Sequence, residues 1–132
     1  MDFALDLFSS IKSEIEKSTV FNIAETVEYI PNSVQIKTII RKATGFISAI
    51  SYSGEAITKL TPPFDIFIQI IDGKAQIVIN GISHLPTAGE FIVIPAHHKI
   101  TIGAIDRFKM TATVIKSGCE DFRNPFDENV AE

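Results

Sequence analysis

Phe64-Asp65-Ile66-Phe67-Ile68-Gln69-Ile70-Ile71-Asp72-Gly73-Lys74-Ala75-Gln76-Ile77-Val78-Ile79-Asn80-Gly81 is the stretch from which the fold follows. Phe64, Ile66, Ile68 and Ile70 share one parity, and Ala75, Ile77 and Ile79 share another. A period of two in β-branched and aromatic residues is the pattern of a strand with one face buried. Two turn dipeptides punctuate it. Asp72-Gly73 offers the two positive-φ positions of a type I′ turn and predicts a hairpin joining Phe64–Ile71 to Lys74–Ile79. Asn80-Gly81 predicts a second, joining Lys74–Ile79 to Ile82–Leu85.

Outward from this centre the same character persists. Val34–Arg41, Gly45–Tyr52, Phe91–Ile94, Lys99–Ile102 and Phe108–Lys116 read as further short strands, with Pro86-Thr87-Ala88-Gly89 and Pro95 as breaks. Closely spaced strands without intervening helices predict an all-β sandwich or barrel. Residues 2–17 differ: Phe3, Leu7, Ile11 and Ile15 recur every four residues, which predicts a helix packed on the barrel or on a partner subunit. The expected organisation is an N-terminal helix within 1–18, a β-barrel over 19–118 and an acidic tail over 119–132. Only 21 % of residues are charged against 45 % hydrophobic, the balance of a folded domain. The lone Cys119 cannot close an intramolecular disulfide, so a packed core must hold the fold.

Composition also excludes functions. Net charge is −4 and no basic cluster occurs, which argues against nucleic acid as a partner. No run is apolar and long enough to span a bilayer, and the acids near Met1 stand where a signal peptide needs lysine or arginine. The expected location is cytoplasmic. There is no G-x-S-x-G elbow, no Gly-rich phosphate loop and no H-E-x-x-H. Cys119 is flanked by Glu120 and Asp121, whose charges disfavour a thiolate.

Residues 54–103 resemble the cupin superfamily. Cupins carry G(x)5HxH(x)3–4E(x)6G followed by G(x)5PxG(x)2H(x)3N. Here Gly54 opens the first motif and Ile71-Asp72-Gly73 closes it, while Gly89 to Pro95 fits the start of the second. The inner glycine of the second is replaced by His97. The resemblance implies an RmlC-like jelly-roll barrel (a double-stranded β-helix) and commonly a homodimer. It also implies metal ligands at Leu60, Pro62, Ile66 and Ile100, and all four side chains lack a donor. The expected cofactor is therefore none and the expected metal site is none.

Polar candidates are few. His98 shares parity with Ile100 and is placed near the barrel mouth; His97 points the other way unless the loop bends, and His84 follows a turn. A displaced metal site from His84, His97, His98, Asp65 or Glu90 has no helical i,i+4 or Cys-x-x-Cys spacing behind it. Asp65 instead reads as a turn anchor and Glu90 as a solvent-facing residue. The leading expectation is a metal-free binding or structural module. In it His98, Leu60, Ile66, Ile100, Thr58 and Tyr52 line the barrel interior around a small apolar ligand or none. The alternative is a metal-independent isomerase, epimerase or lyase that uses His98 with Thr58 or Tyr52.

Overall fold

The computed structural model describes residues 14–116. Seven strands follow in order: β1 (Val34–Lys42), β2 (Gly45–Ser53), β3 (Ile57–Leu60), β4 (Ile66–Ile79), β5 (Ile82–His84), β6 (Phe91–Ile94) and β7 (Ile100–Ile115). Two of them organise the rest. The first half of β4 pairs with the second half of β7, from Ile66↔Val114 to Ile70↔Met110, and the second half of β4 pairs with the first half of β7, from Ala75↔Ala104 to Ile79↔Ile100. Both strands bend in the middle and so belong to two layers. One layer runs β1-β2-β7-β4-β6 and the other β3-β7-β4-β5, every pair antiparallel. This is the all-β barrel that the strand pattern implied, in the jelly-roll form that the resemblance implied.

The bend in β4 corrects one expectation. Asp72-Gly73 does not close a hairpin; the strand runs through it, and the register against β7 slips between Ile70 and Asp72 and again between Gly73 and Ala75. The reason is that both flanking segments pair with β7 and not with each other. Gly73 keeps the positive φ (78°) that the dipeptide suits, and uses it to make a bulge. A Cβ there would lie 2.2 Å from the Arg107 carbonyl oxygen on the facing strand, so no larger residue fits the bend. By contrast Asn80-Gly81 turns as expected: φ is 50° and 85°, and Ile79 pairs with Ile82 across it.

The predicted strands 99–102 and 108–116 fuse into β7 for the same reason, and Ile57–Leu60 adds a strand that the pattern did not mark. The N-terminal helix is corrected where it can be seen. Residues 2–13 of the predicted helix lie outside the described residues, while Glu14, Ile15 and Glu16 have no helical structure. The Ile15 N–H instead donates to the Thr38 carbonyl of β1 (3.1 Å), and Glu14 accepts the Arg41 N–H (2.5 Å). The free edge of β1 outcompetes intrahelical bonds at this point. The only helical turn among the described residues is a 3-10 turn, Ile23–Glu25, capped by the Asn22 side chain.

The core lies between the two layers. Ile66, Ile68, Ile70, Ile77, Ile94, Ile102, Phe108, Met110 and Ala112 have no accessible surface, and Phe108 stacks on Tyr52 with ring centroids 4.9 Å apart. These are the inward parities of β4, β6 and β7, so alternation and pairing register agree on which face is inside.

Candidate functional site

The site to be tested is the interior near Leu60, Ile66 and Ile100. Antiparallel pairing sets Leu60 of β3 opposite Ile100 of β7, and sets Ile66 of β4 between Val114 and Ile94. All three join one apolar cluster with Ile68, Ile77 and Ile102, and Pro62 is buried beside the start of β4. Leu60 is 6 % exposed, Ile100 3 % and Ile66 0 %. A void that holds even one water exposes the side chains around it. Zero exposure along Ile66, Ile68, Ile77 and Ile102 therefore means that nothing of that size separates them.

Tyr52 and Thr58, the two polar interior candidates, satisfy each other. The Tyr52 hydroxyl donates to Thr58 Oγ1 at 2.6 Å, and both residues are buried. Burial pushes the Tyr52 phenol well above its ordinary value, with the Thr58 hydrogen bond acting weakly the other way. A phenol held neutral and already bonded neither accepts nor delivers a proton at ordinary pH. Among the described residues, no buried side-chain nitrogen or oxygen lacks a hydrogen-bond partner. The interior offers no polar group in wait for a ligand.

His98 is not aimed at that pair. Its ring Nδ1 meets the Ala96 carbonyl at 2.9 Å, within its own loop, and the residue is half-buried. The loop does bend: His97 takes a left-handed conformation (φ 68°), and its N–H donates to the Pro62 carbonyl at 2.7 Å. Asp65 accepts the Ala96 N–H at 2.8 Å, the turn-anchoring role its position suggested. Glu90 is exposed and holds the Thr87 N–H and hydroxyl. No group of three or more His, Cys, Asp or Glu among the described residues could hold a metal ion. Leu60 and Ile100 also line a groove of about 490 Å³ that has Lys59, Lys99, Thr61 and Asn80 around it.

One cluster escaped the reading of the sequence. The Tyr29 hydroxyl donates to Asp72 at the bend of β4 (2.5 Å), and the Tyr29 ring packs under the Arg107 guanidinium (4.5 Å) and the Lys109 ammonium (4.9 Å). The Lys109 ammonium also donates to the Ala24 carbonyl. These contacts fasten residues 24–29 across the outside of the barrel, between elements far apart in sequence. No local spacing announces them.

Comparison with known proteins adds the fold and stops there. No family model and no curated protein sequence matches the chain. Solved structures do. A conserved protein of unknown function from Streptococcus pyogenes superposes with a TM-score of 0.74 at 22 % identity, covering 80 % of this chain and 94 % of that one. A cupin superfamily protein from Desulfitobacterium hafniense gives 0.73 at 19 % identity, covering 80 % and 97 %. An RmlC-like cupin from Shewanella frigidimarina gives 0.64 at 12 % identity, covering 81 % and 97 %. The metal that cupins hold does not fit here, because Leu60, Pro62, Ile66 and Ile100 present only hydrocarbon where its ligands are expected. Among the described residues, no helix is long and apolar enough to cross a membrane. With strand order, bent strands and these superpositions in agreement, the fold of this chain is a jelly-roll of the kind seen in these cupin structures.

Proposed function

We propose that this chain is a metal-independent cupin module whose contacts are made by its outer surface, a binding or structural protein and not a metalloenzyme. The observation that carries the reading is the chemistry at Leu60, Pro62, Ile66 and Ile100. All four are apolar and all four are buried. A divalent ion needs several nitrogen, oxygen or sulfur donors at bonding distance, and water alone does not replace four of them in an apolar interior. The isomerase alternative requires an acid–base pair facing a cavity. Tyr52 and Thr58 bond to each other, and His98 bonds to Ala96, so no observation favours it.

Elemental analysis of the purified full chain tests this reading, together with thermal unfolding in added zinc, nickel, manganese or ferrous ion. The expected result is metal far below one equivalent and an unchanged unfolding temperature. A folded-state site filled at a thousand times its Kd would add about 4 kcal/mol, which unfolding readily detects. Stoichiometric metal that survives dialysis would overturn the proposal.

A further inference from the structure

The outer faces of the two layers differ in chemistry. On the four-stranded layer, register sets Lys59, Thr101, Val78 and Ser83 in one row, and only Val78 is apolar. On the five-stranded layer a row of Ile40, Ile47, Thr113, Phe67 and Val93 takes one residue from each of β1, β2, β7, β4 and β6. Ile40 is 37 % exposed and Val93 50 %. Phe91 (62 % exposed) and Ile115 (75 %) widen this row on its two sides, and the Phe91 ring lies 5.1 Å from that of Phe67.

The edges of the same layer are blunted, so its face is what it offers. At β1 the Ile15 N–H bonds the Thr38 carbonyl, and Glu14 accepts the Arg41 N–H. At the other edge β6 is four residues long and runs into Pro95, which has no N–H to pair. The row itself carries no charge. In the strand rows beside it the charged residues are Lys37 and Lys42, both on the β1 edge. Asp65, just before β4, already holds the Ala96 N–H.

This pattern fits a copy of itself. β7 is the middle strand of the five, and Thr113 is the middle residue of the row. A two-fold axis through Thr113 in the plane of contact sets each apolar residue of the row on an apolar residue of a second copy. With the axis along β7, Ile40 meets Val93 and Ile47 meets Phe67; with the axis across the strands, each meets its own counterpart. A charge close to such an axis would face its like, so a self-pairing face must be bare there, whereas a face for a different partner is under no such constraint. Five strands about 4.8 Å apart, with three residues of each on this face, make a patch of roughly 450 Å². Two copies would bury about 900 Å², the low end for specific contacts.

Resting on the reading of a module that makes its contacts from the outside, we propose that this face is where two copies of the chain associate, layer on layer, with Thr113 of each at the two-fold axis. Sedimentation equilibrium of the full chain tests it. Contacts of this size dissociate on the order of 10 µM, so protein is followed from roughly 1 to 200 µM. The expected result is a dimer at the upper end that dissociates on dilution. Thr113→Asp alone and Thr113→Lys alone each put like charges at the axis and weaken association roughly tenfold or more, while an equal mixture of the two restores it. Val93→Ser, at an exposed position, weakens it without touching the core, and Ser83→Asp on the other layer leaves it unchanged. A wild-type chain that stays monomeric, a dimer indifferent to the Thr113 and Val93 variants, or a mixture of the two charged variants that stays monomeric would each overturn the proposal. A metal-free monomer removes the dimer and leaves the metal-independent module standing; a dimer with stoichiometric metal does the reverse.

Discussion

Asp72-Gly73 and Asn80-Gly81 are separated only by Lys74–Ile79, carry the same kind of turn dipeptide, and do opposite things. The second reverses the chain, because Ile79 and Ile82 pair with each other. The first carries the strand onward through a bulge, because the residues on either side of it both pair with β7. In each case glycine supplies a positive φ. A dipeptide thus sets a local conformational demand, and the partner strand decides what that conformation builds. Surroundings differ accordingly: a Cβ at Gly81 meets nothing within 4 Å, whereas one at Gly73 runs into the backbone of Arg107 and Phe108.

Four substitutions probe this contrast. The largest effect belongs to Phe108, the β7 residue opposite Gly73, which stacks on Tyr52 and has no accessible surface. Phe108→Ala empties the inside of the bend and is expected to cost about 3–5 kcal/mol in denaturant unfolding. Gly73→Ala comes next, at about 3 kcal/mol, the sum of a strained φ and displacement of the facing carbonyl. Gly81→Ala, with the same φ problem and open space, is expected to cost about 1 kcal/mol. Equal losses at Gly73 and Gly81 would mean that φ alone matters and that the close approach of β7 does not.

The smallest expected effect sharpens the comparison from outside. Tyr29→Phe removes the hydroxyl that ties residues 24–29 to Asp72, at about 1 kcal/mol. Its pH dependence has a defined sign. Partial burial first, then the Asp72 hydrogen bond, raise the Tyr29 phenol above its ordinary 10.0. The folded state therefore favours the protonated phenol. Its contribution is complete below about pH 10 and is lost as pH rises through the higher folded value. Wild type and Tyr29→Phe should converge in stability at strongly alkaline pH; equal stability of the two already at neutral pH would mean that ring packing and not the hydrogen bond does the fastening.

Much of the fold was legible. Alternation placed Leu60, Ile66, Ile100, Phe108 and Met110 on inward faces, and the structure buries all five. Turn chemistry located Asn80-Gly81, and the Pro95 break ended β6 correctly. The candidate site was legible as a set of residues but not as an arrangement. Tyr52 and Thr58 were both recognisable as polar interior residues. That they consume each other's hydrogen bonds depends on β2 and β3 meeting across the same side of β7. His98 was placed near the mouth by parity, yet the left-handed turn at His97 sets its ring against Ala96.

The sequence by itself determined the all-β architecture, the inward faces and the absence of metal donors at the four cupin positions. Each of these is a property of residue type at a given period, and period two survives any tertiary context that keeps the strands. Only the tertiary structure decided that Asp72-Gly73 is a bend, that the interior is filled and that residues 14–33 lie across the outside. Those outcomes rest on contacts between strands and segments distant in the chain, where packing volume and unpaired edges choose among conformations that are locally equivalent.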